Sequence, residues 1–157
     1  MDALVATLGR TEFFAPFGPQ HLRMLASCAT QVQYEAGEFL SHSGDEADAF
    51  WLVHSGHVGL SYFVPARGEV TVATVTPGEV AGFSWLFPPH ETRFDIVAVT
   101  PVSALRFDGR VVRRQCAADP EFGYQVMARF IRIIADRVEA MNLQLLDVFG
   151  HHPIEHQ

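Results

Sequence analysis

The residues best suited to grip a ligand lie between Gly78 and Phe94. Gly82 is followed by Phe83, Ser84 and Trp85, and Arg93 stands eleven positions beyond the glycine. Glycine lets a backbone come close to a bound group. Ser84 adds a hydroxyl, and Arg93 adds a planar, charged fork. This set can bind a phosphate-like anion; it does not break bonds. Two rings, Phe83 and Phe94, crowd the same stretch, and Asp95 would repel an anion if it pointed inward. Strand alternation puts Phe94 and Asp95 on opposite faces, so only one of them lines a pocket.

Other groupings are weaker. His42, His54 and His57 invite a metal-dependent, cupin-type enzyme, but that pattern needs His-x-His and then a nearby Glu. Here two residues separate His54 from His57, and the next Glu is Glu69. They read as surface histidines. His151, His152 and His156, with Glu155, read as a frayed terminus. Cys28 and Cys116 form no Cys-x-x-Cys pair and read as reduced core thiols. No nucleophile–base motif, Gly-x-Gly-x-x-Gly or P-loop is present, so no catalytic residue is assigned. Asp119, Glu121 and Asp147 read as helix-terminus or surface acids.

The elements that must hold these residues fall into three zones. The 157 residues are 48% hydrophobic with net charge −7, which fits a globular domain with one long appendage. That charge argues against a dedicated nucleic-acid binder. No apolar run reaches the roughly 18 residues of a membrane span, and the start lacks a signal-peptide pattern, so the expected location is cytoplasmic with no membrane contact. Residues 1 to about 28 are helical in pattern: Leu4, Val5 and Leu8 form one stripe, and Leu22, Leu25 and Ala26 another after Gly18-Pro19. Phe13, Phe14 and Phe17 form an aromatic plug between them. Residues 30 to 108 are β, with glycines at 37, 44, 56, 68 and 78 separating short apolar runs. The expected strands are Gln31–Tyr34, Glu38–Ser41, Ala49–His54, His57–Phe63, Val70–Thr76, Phe94–Thr100 and Ser103–Phe107. Arg67-Gly68 and Pro77-Gly78 read as turns.

The third zone is helical again. A short helix is expected from Gly109 to Cys116. Asp119-Pro120-Glu121 then opens a long helix that Gly150 stops. Along it Met127, Ile131, Ile134, Val138, Met141, Leu145 and Val148 are spaced 4, 3, 4, 3, 4, 3, a coiled-coil seam of about three heptads. Phe130 and Ile133 offer a second stripe for the helix's own domain. Two stripes imply two partners, the β zone and another copy of the helix, so a homodimer is expected. The arginine groups 110/113/114 and 129/132/137 read as solvated helix faces.

The ordered set Gly37-Glu38-Phe39-Leu40, Gly44-Asp45, Phe50 to Gly56, Val58, Pro77-Gly78-Glu79, Gly82, Arg93, Val97-Ala98 and Phe107-Asp108 resembles the cyclic-nucleotide-binding domain of the catabolite-activator/FNR superfamily. The resemblance spans residues 10 to 149. The string Ser84-Trp85-Leu86-Phe87-Pro88-Pro89 is similar to that of small stand-alone bacterial members that end after the dimer helix. What the resemblance implies is a mainly β fold with flanking α: an antiparallel β-roll (a double-stranded β-helix or jelly roll) with N-terminal helices and a long C-terminal dimerisation helix. The expected division is 1–118 for the ligand-binding-like domain, 119–149 for the dimer helix and 150–157 for a flexible tail. After Gly150 only seven residues remain, so no winged helix-turn-helix and no direct DNA binding are expected.

The resemblance also implies a ligand, cyclic AMP or cyclic GMP, with no other cofactor. It places phosphate at Gly82, Phe83, Ser84, Trp85 and Arg93. Two positions depart from it. The family usually carries a Glu for the ribose where Phe83 stands, and a small residue where Phe94 stands. Losing a charge-assisted hydrogen bond costs about 1.5–3 kcal/mol, roughly 10- to 100-fold in affinity. Phe63, Trp85, Phe130 and Ile131 are candidates to stack on a base. Three ligand states follow: weak cyclic-nucleotide binding, a different small anionic ligand, or a pocket filled by Phe83 and Phe94. The altered pocket is the expectation, in a non-enzymatic sensor whose output is an unknown partner protein, with Leu143 and Leu146 as its docking point.

Overall fold

The computed structural model of the chain describes residues 2–150, apart from the side chains of residues 144 and 148–150. The tail histidines lie outside the described residues, as does the side chain of Val148. Helices α1 (Asp2–Gly9) and α2 (Pro19–Ser27) precede strands β1 (Ala29–Tyr34), β2 (Phe39–Ser41), β3 (Ala49–Ser55), β4 (Val58–Val64), β5 (Gly68–Val75), β6 (Val80–Ala81), β7 (Asp95–Ala98) and β8 (Val102–Asp108). Helices α3 (Gly109–Ala118) and α4 (Pro120–Gly150) follow. The strands form two four-stranded antiparallel sheets, ordered β1-β8-β3-β6 and β2-β7-β4-β5. This is the expected β-roll with helices at both ends.

Two cores explain the strand sequences. Ala49, Trp51 and Val53 of β3 face the interior of the roll with Val102 and Ala104 of β8, while Phe50, Leu52, Leu105 and Phe107 face the helices. Because β3 is buried on both faces, its apolar run is continuous rather than alternating. The helix-side core is aromatic: Phe13, Phe14 and Phe17 pack with Phe107, Phe122 and Phe130, as the plug reading expected. Phe122, Val126 and Phe130 are the buried stripe of α4. Gly56 allows the turn from β3 to β4, since a Cβ there would stand 2.1 Å from the carbonyl oxygen of Pro101.

The arginine groups differ from their expected role. Arg110 reaches Glu46 at 2.5 Å, and Arg113 donates to the Trp85 carbonyl at 2.5 Å. Arg129 lies 5.5 Å over the Phe13 ring and donates to the carbonyls of Phe13 and Glu12. These are fasteners between elements; Arg114 and Arg132 stay exposed. A guanidinium supplies several donors on a long stem, so it reaches carbonyls that a helix-face pattern cannot reveal.

The two ends of the chain are joined by a buried histidine. His21 on α2 packs on Phe122, its Nε2 lies 3.0 Å from Asp119 Oδ2, and its Nδ1 lies 3.3 Å from Gln125 Oε1. Asp119 also accepts from the Phe122 N–H, so it caps α4 as expected. The hydrogen bond from His21, then that from Phe122, holds the Asp119 carboxyl below the usual carboxylate value. A depressed carboxylate contributes stability that is present above its unfolded pKa of about 3.9 and lost as pH falls through the folded value. Asp119→Asn is therefore expected to lower the thermal midpoint at pH 6–7 and to match wild type at about pH 2–3. Melting curves across that range check it; a constant gap down to the lowest pH would sink the assignment.

Candidate functional site

The cassette is built by β6 and the turn that follows. Gly82 has φ of +94°, and a Cβ there would meet the Ala49 carbonyl oxygen at 3.1 Å and the Trp51 ring at 3.3 Å. A one-turn 3-10 helix, Ser84–Leu86, comes next. Its residues divide their work. Ser84 is buried and lines the roll cavity. Trp85 turns the other way: it is fully buried in the helix-side core, stacked on Phe50 at 4.9 Å and edge-on to Phe130 at 5.1 Å. Its indole N–H has no hydrogen-bond partner among the described residues. Only its backbone is available to a ligand.

Phe83 packs against both cores and touches Phe94 at 5.6 Å and Phe87 at 6.3 Å between ring centres. Phe94 is only 4% exposed, with Tyr62 edge-on at 5.8 Å. Asp95 faces away and accepts from the Ser43 N–H at 2.8 Å. The alternation argument thus resolves with Phe94 inside.

What remains open in the roll is a cavity of about 120 Å³, well under the roughly 300–1,000 Å³ of ordinary ligand pockets. Its walls include the hydroxyl residues Ser41, Ser84 and Thr92, the acids Asp45, Glu46 and Asp48, and Arg106. Ser41 and Thr92 hydrogen-bond each other at 3.1 Å. Arg106 comes from β8, opposite Trp51, and pairs with Asp48 at 3.2 Å. Glu46 pairs with Arg110, while Asp45 faces only His42 at 3.8 Å. Glu69, beside Asp95, is held above the usual carboxylate range, chiefly by its hydrogen bond to Asp95. The cavity wall itself carries three acids against one arginine, with Asp48 paired to Arg106 and Glu46 to Arg110.

Arg93 is exposed, is absent from the cavity wall, and makes no hydrogen bond or ion pair among the described residues. Of the expected cassette, the structure brings Gly82, Phe83, Ser84 and Phe94 together and leaves Arg93 outside. None of the stacking candidates lines the cavity. Phe63 is 67% exposed, Phe130 and Trp85 are core, and Ile131 lies on the outer face of α4. Sequence reasoning missed Arg106. A signal was available: β8 alternates Val102, Ala104, Arg106 on the face that points into the roll.

The remaining groupings have no chemistry in common. His54 and His57 are exposed, His42 stacks on Phe39, and no group of three metal-ligating side chains gathers among the described residues. Burial pushes the Cys28 and Cys116 thiols up to about 11, so they are protonated and unreactive at neutral pH. No helix of the described residues is long and apolar enough to cross a membrane. On α4 the seam residues Met127, Ile131, Val138 and Leu145 are exposed, and Ile134 and Met141 are half-buried.

Comparison with known proteins agrees with this architecture. The model of the cyclic nucleotide-binding domain family matches residues 31–119. The CRP-like cAMP-activated global transcriptional regulator of Mycobacterium tuberculosis is 24% identical over 148 residues, covering 94% of this chain and 63% of that protein. Acetyltransferase Pat of Mycolicibacterium smegmatis is 34% identical over 101 residues, covering 64% of this chain and 30% of that protein. The chain thus spans less than two thirds of the length of these curated relatives. A solved structure from Geobacter metallireducens, described as a cyclic nucleotide-binding protein, has a TM-score of 0.78 at 23% identity, covering 85% of this chain and 96% of that one.

Proposed function

The chain belongs to the cyclic nucleotide-binding domain family, and from that premise we propose that it is a non-enzymatic regulatory module with a remodelled ligand cavity, working as a homodimer through α4 and passing its state to a partner protein. One observation carries the reading. Phe83 and Phe94 pack against each other inside the roll, beside a small acidic cavity that Arg93 does not enter. A cyclic nucleotide needs a donor set for its phosphate, an acceptor for its ribose hydroxyl and room for its base. The acceptor is replaced by a ring, the room is largely filled, and carboxylates stand where an anion would be repelled. Ligand or partner binding would act by shifting α4 against the roll. The exposed Leu143 and Leu146, off the seam, suit a docking partner.

Calorimetry tests this. Wild-type protein is expected to give no saturable heat with cyclic AMP or cyclic GMP up to about 1 mM. The double variant Phe83→Glu, Phe94→Ser supplies the acceptor and the space. It is expected to bind about 10- to 100-fold more tightly than wild type. A second reading, an ordinary cyclic-nucleotide sensor, is supported by the family match and by the intact Gly82 turn. Micromolar binding by wild type, abolished by Arg93→Ala, would favour that reading and end the first.

A further inference from the structure

One face of α4 carries Arg129, Arg132, Asp136 and Arg137, spaced i, i+3, i+7, i+8. Together with Phe13 and the Gly78-Glu79 turn, this face walls a cleft of about 180 Å³ between the helix and the roll. The cleft is separate from the roll cavity, with which it shares no lining residue.

Its arginines are unevenly committed. Arg129 uses Nε and one terminal nitrogen on the carbonyls of Phe13 and Glu12. Arg137 is half-buried, and its Nε is shut off from solvent without a hydrogen-bond partner among the described residues. Neither Arg132 nor Arg137 forms an ion pair among the described residues, although carboxylates are near. Glu79 is tied to Thr76, accepting from both its N–H and its hydroxyl. Asp136 is exposed and lies on the cleft wall. Desolvation holds the Arg137 pKa below the usual guanidinium value, and the charges of Glu79 and Asp136 offset that only in part. A buried donor left unmet is destabilising unless something supplies the acceptor.

We propose that this cleft binds the phosphate group of a small molecule, with Arg137 and Arg132 as its charged contacts. A phosphate carries about −1.5 to −2 charges at neutral pH, and it would meet Arg132 and Arg137, neither of them in an ion pair among the described residues, on a wall that also carries Glu12, Glu79 and Asp136. Its several oxygens accept from two forks that approach from different turns of one helix, where a single carboxylate would meet only one fork well. A bound phosphate would tie α4 to the β5–β6 turn and so set the angle of the helix on the roll.

Titration calorimetry of the full chain in dilute chloride buffer, with inorganic phosphate and with ribose 5-phosphate as probes, tests the assignment. Wild type is expected to bind saturably. R137Q is expected to weaken binding about tenfold or more, and R132Q about threefold. D136N, at an exposed position, is expected to tighten it about two- to threefold by removing a repelling charge. R106Q, in the roll cavity, is expected to leave it unchanged. Ribose 5-phosphate binding about tenfold more tightly than phosphate supports a phosphorylated metabolite as the source; equal affinities support free phosphate. No saturable signal from either probe at about 10 mM, unchanged affinity in R137Q with D136N also silent, or saturation by citrate alone overturns the proposal.

Discussion

Trp85→Ala is expected to lower the unfolding free energy by about 3–5 kcal/mol, the range for emptying a large aromatic site in a core. The ring is fully buried and joins three elements: it stacks on Phe50 of β3, meets Phe130 of α4 edge-on, and its Cβ lies 3.0 Å from where a Cβ at Gly109 would stand. Its carbonyl also holds Arg113 of α3. Little can collapse into the hole, because the strands around it are fixed by their ladders. Trp85→Phe is expected to cost much less: it keeps most of the stacking and removes an indole N–H that has no hydrogen-bond partner among the described residues. Urea unfolding of the two variants measures the difference. A cost under about 1 kcal/mol for the alanine variant would mean that the ring is not the joint between cassette and helix.

The second large effect concerns the outer face of α4. Ile131 and Val138 are 62% and 52% exposed in the single chain, two turns apart on the seam. In a paired helix each buried aliphatic side chain contributes about 1.5–3 kcal/mol. The variant Ile131→Glu, Val138→Glu removes four such side chains from a symmetric interface and puts like charges in their place. The dimer dissociation constant is expected to rise at least about 1,000-fold, giving a monomer in light scattering at tens of micromolar. Leu143→Glu with Leu146→Glu, off the seam, is expected to leave the dimer intact. A monomeric mass for the wild-type protein under the same conditions would refute the seam.

Much of the fold was legible because its signals are local. The glycine rhythm marked the turns of the roll, and the Asp119-Pro120 start and the 4, 3 spacing marked α4. The strand β6 was not separated from the cassette, since two residues show no periodicity. The two apolar stripes of α4 fall on different faces: Phe130 is buried with Phe122 and Val126 and Ile133 is half-buried, while Met127, Ile131, Val138 and Leu145 of the seam are exposed and Ile134 and Met141 half-buried. The site was less legible. Ser84 and Trp85 are adjacent in the chain, yet one lines the cavity and the other anchors the opposite core, because the 3-10 turn rotates successive side chains apart. Arg93 lay at the expected count from Gly82, but a count along the chain does not determine whether a long side chain points in or out.

The amino-acid sequence by itself determined the β-roll, the order of its elements, the glycine at the cassette and the ring of Phe83 beside it. Those properties depend on backbone conformation and residue type at single positions. Only the tertiary structure decided that Phe94 rather than Asp95 faces inward and that Arg106, not Arg93, borders the cavity. It alone revealed that the Nε of the half-buried Arg137 is shut off from solvent with no hydrogen-bond partner among the described residues. Those outcomes depend on which strands lie opposite one another, and strands far apart in the chain become neighbours only when both cores close. The ring of Phe83 was written in the sequence; the charges around the cavity were not, because Arg106 arrives from β8 and Asp45, Glu46 and Asp48 from the loop between β2 and β3.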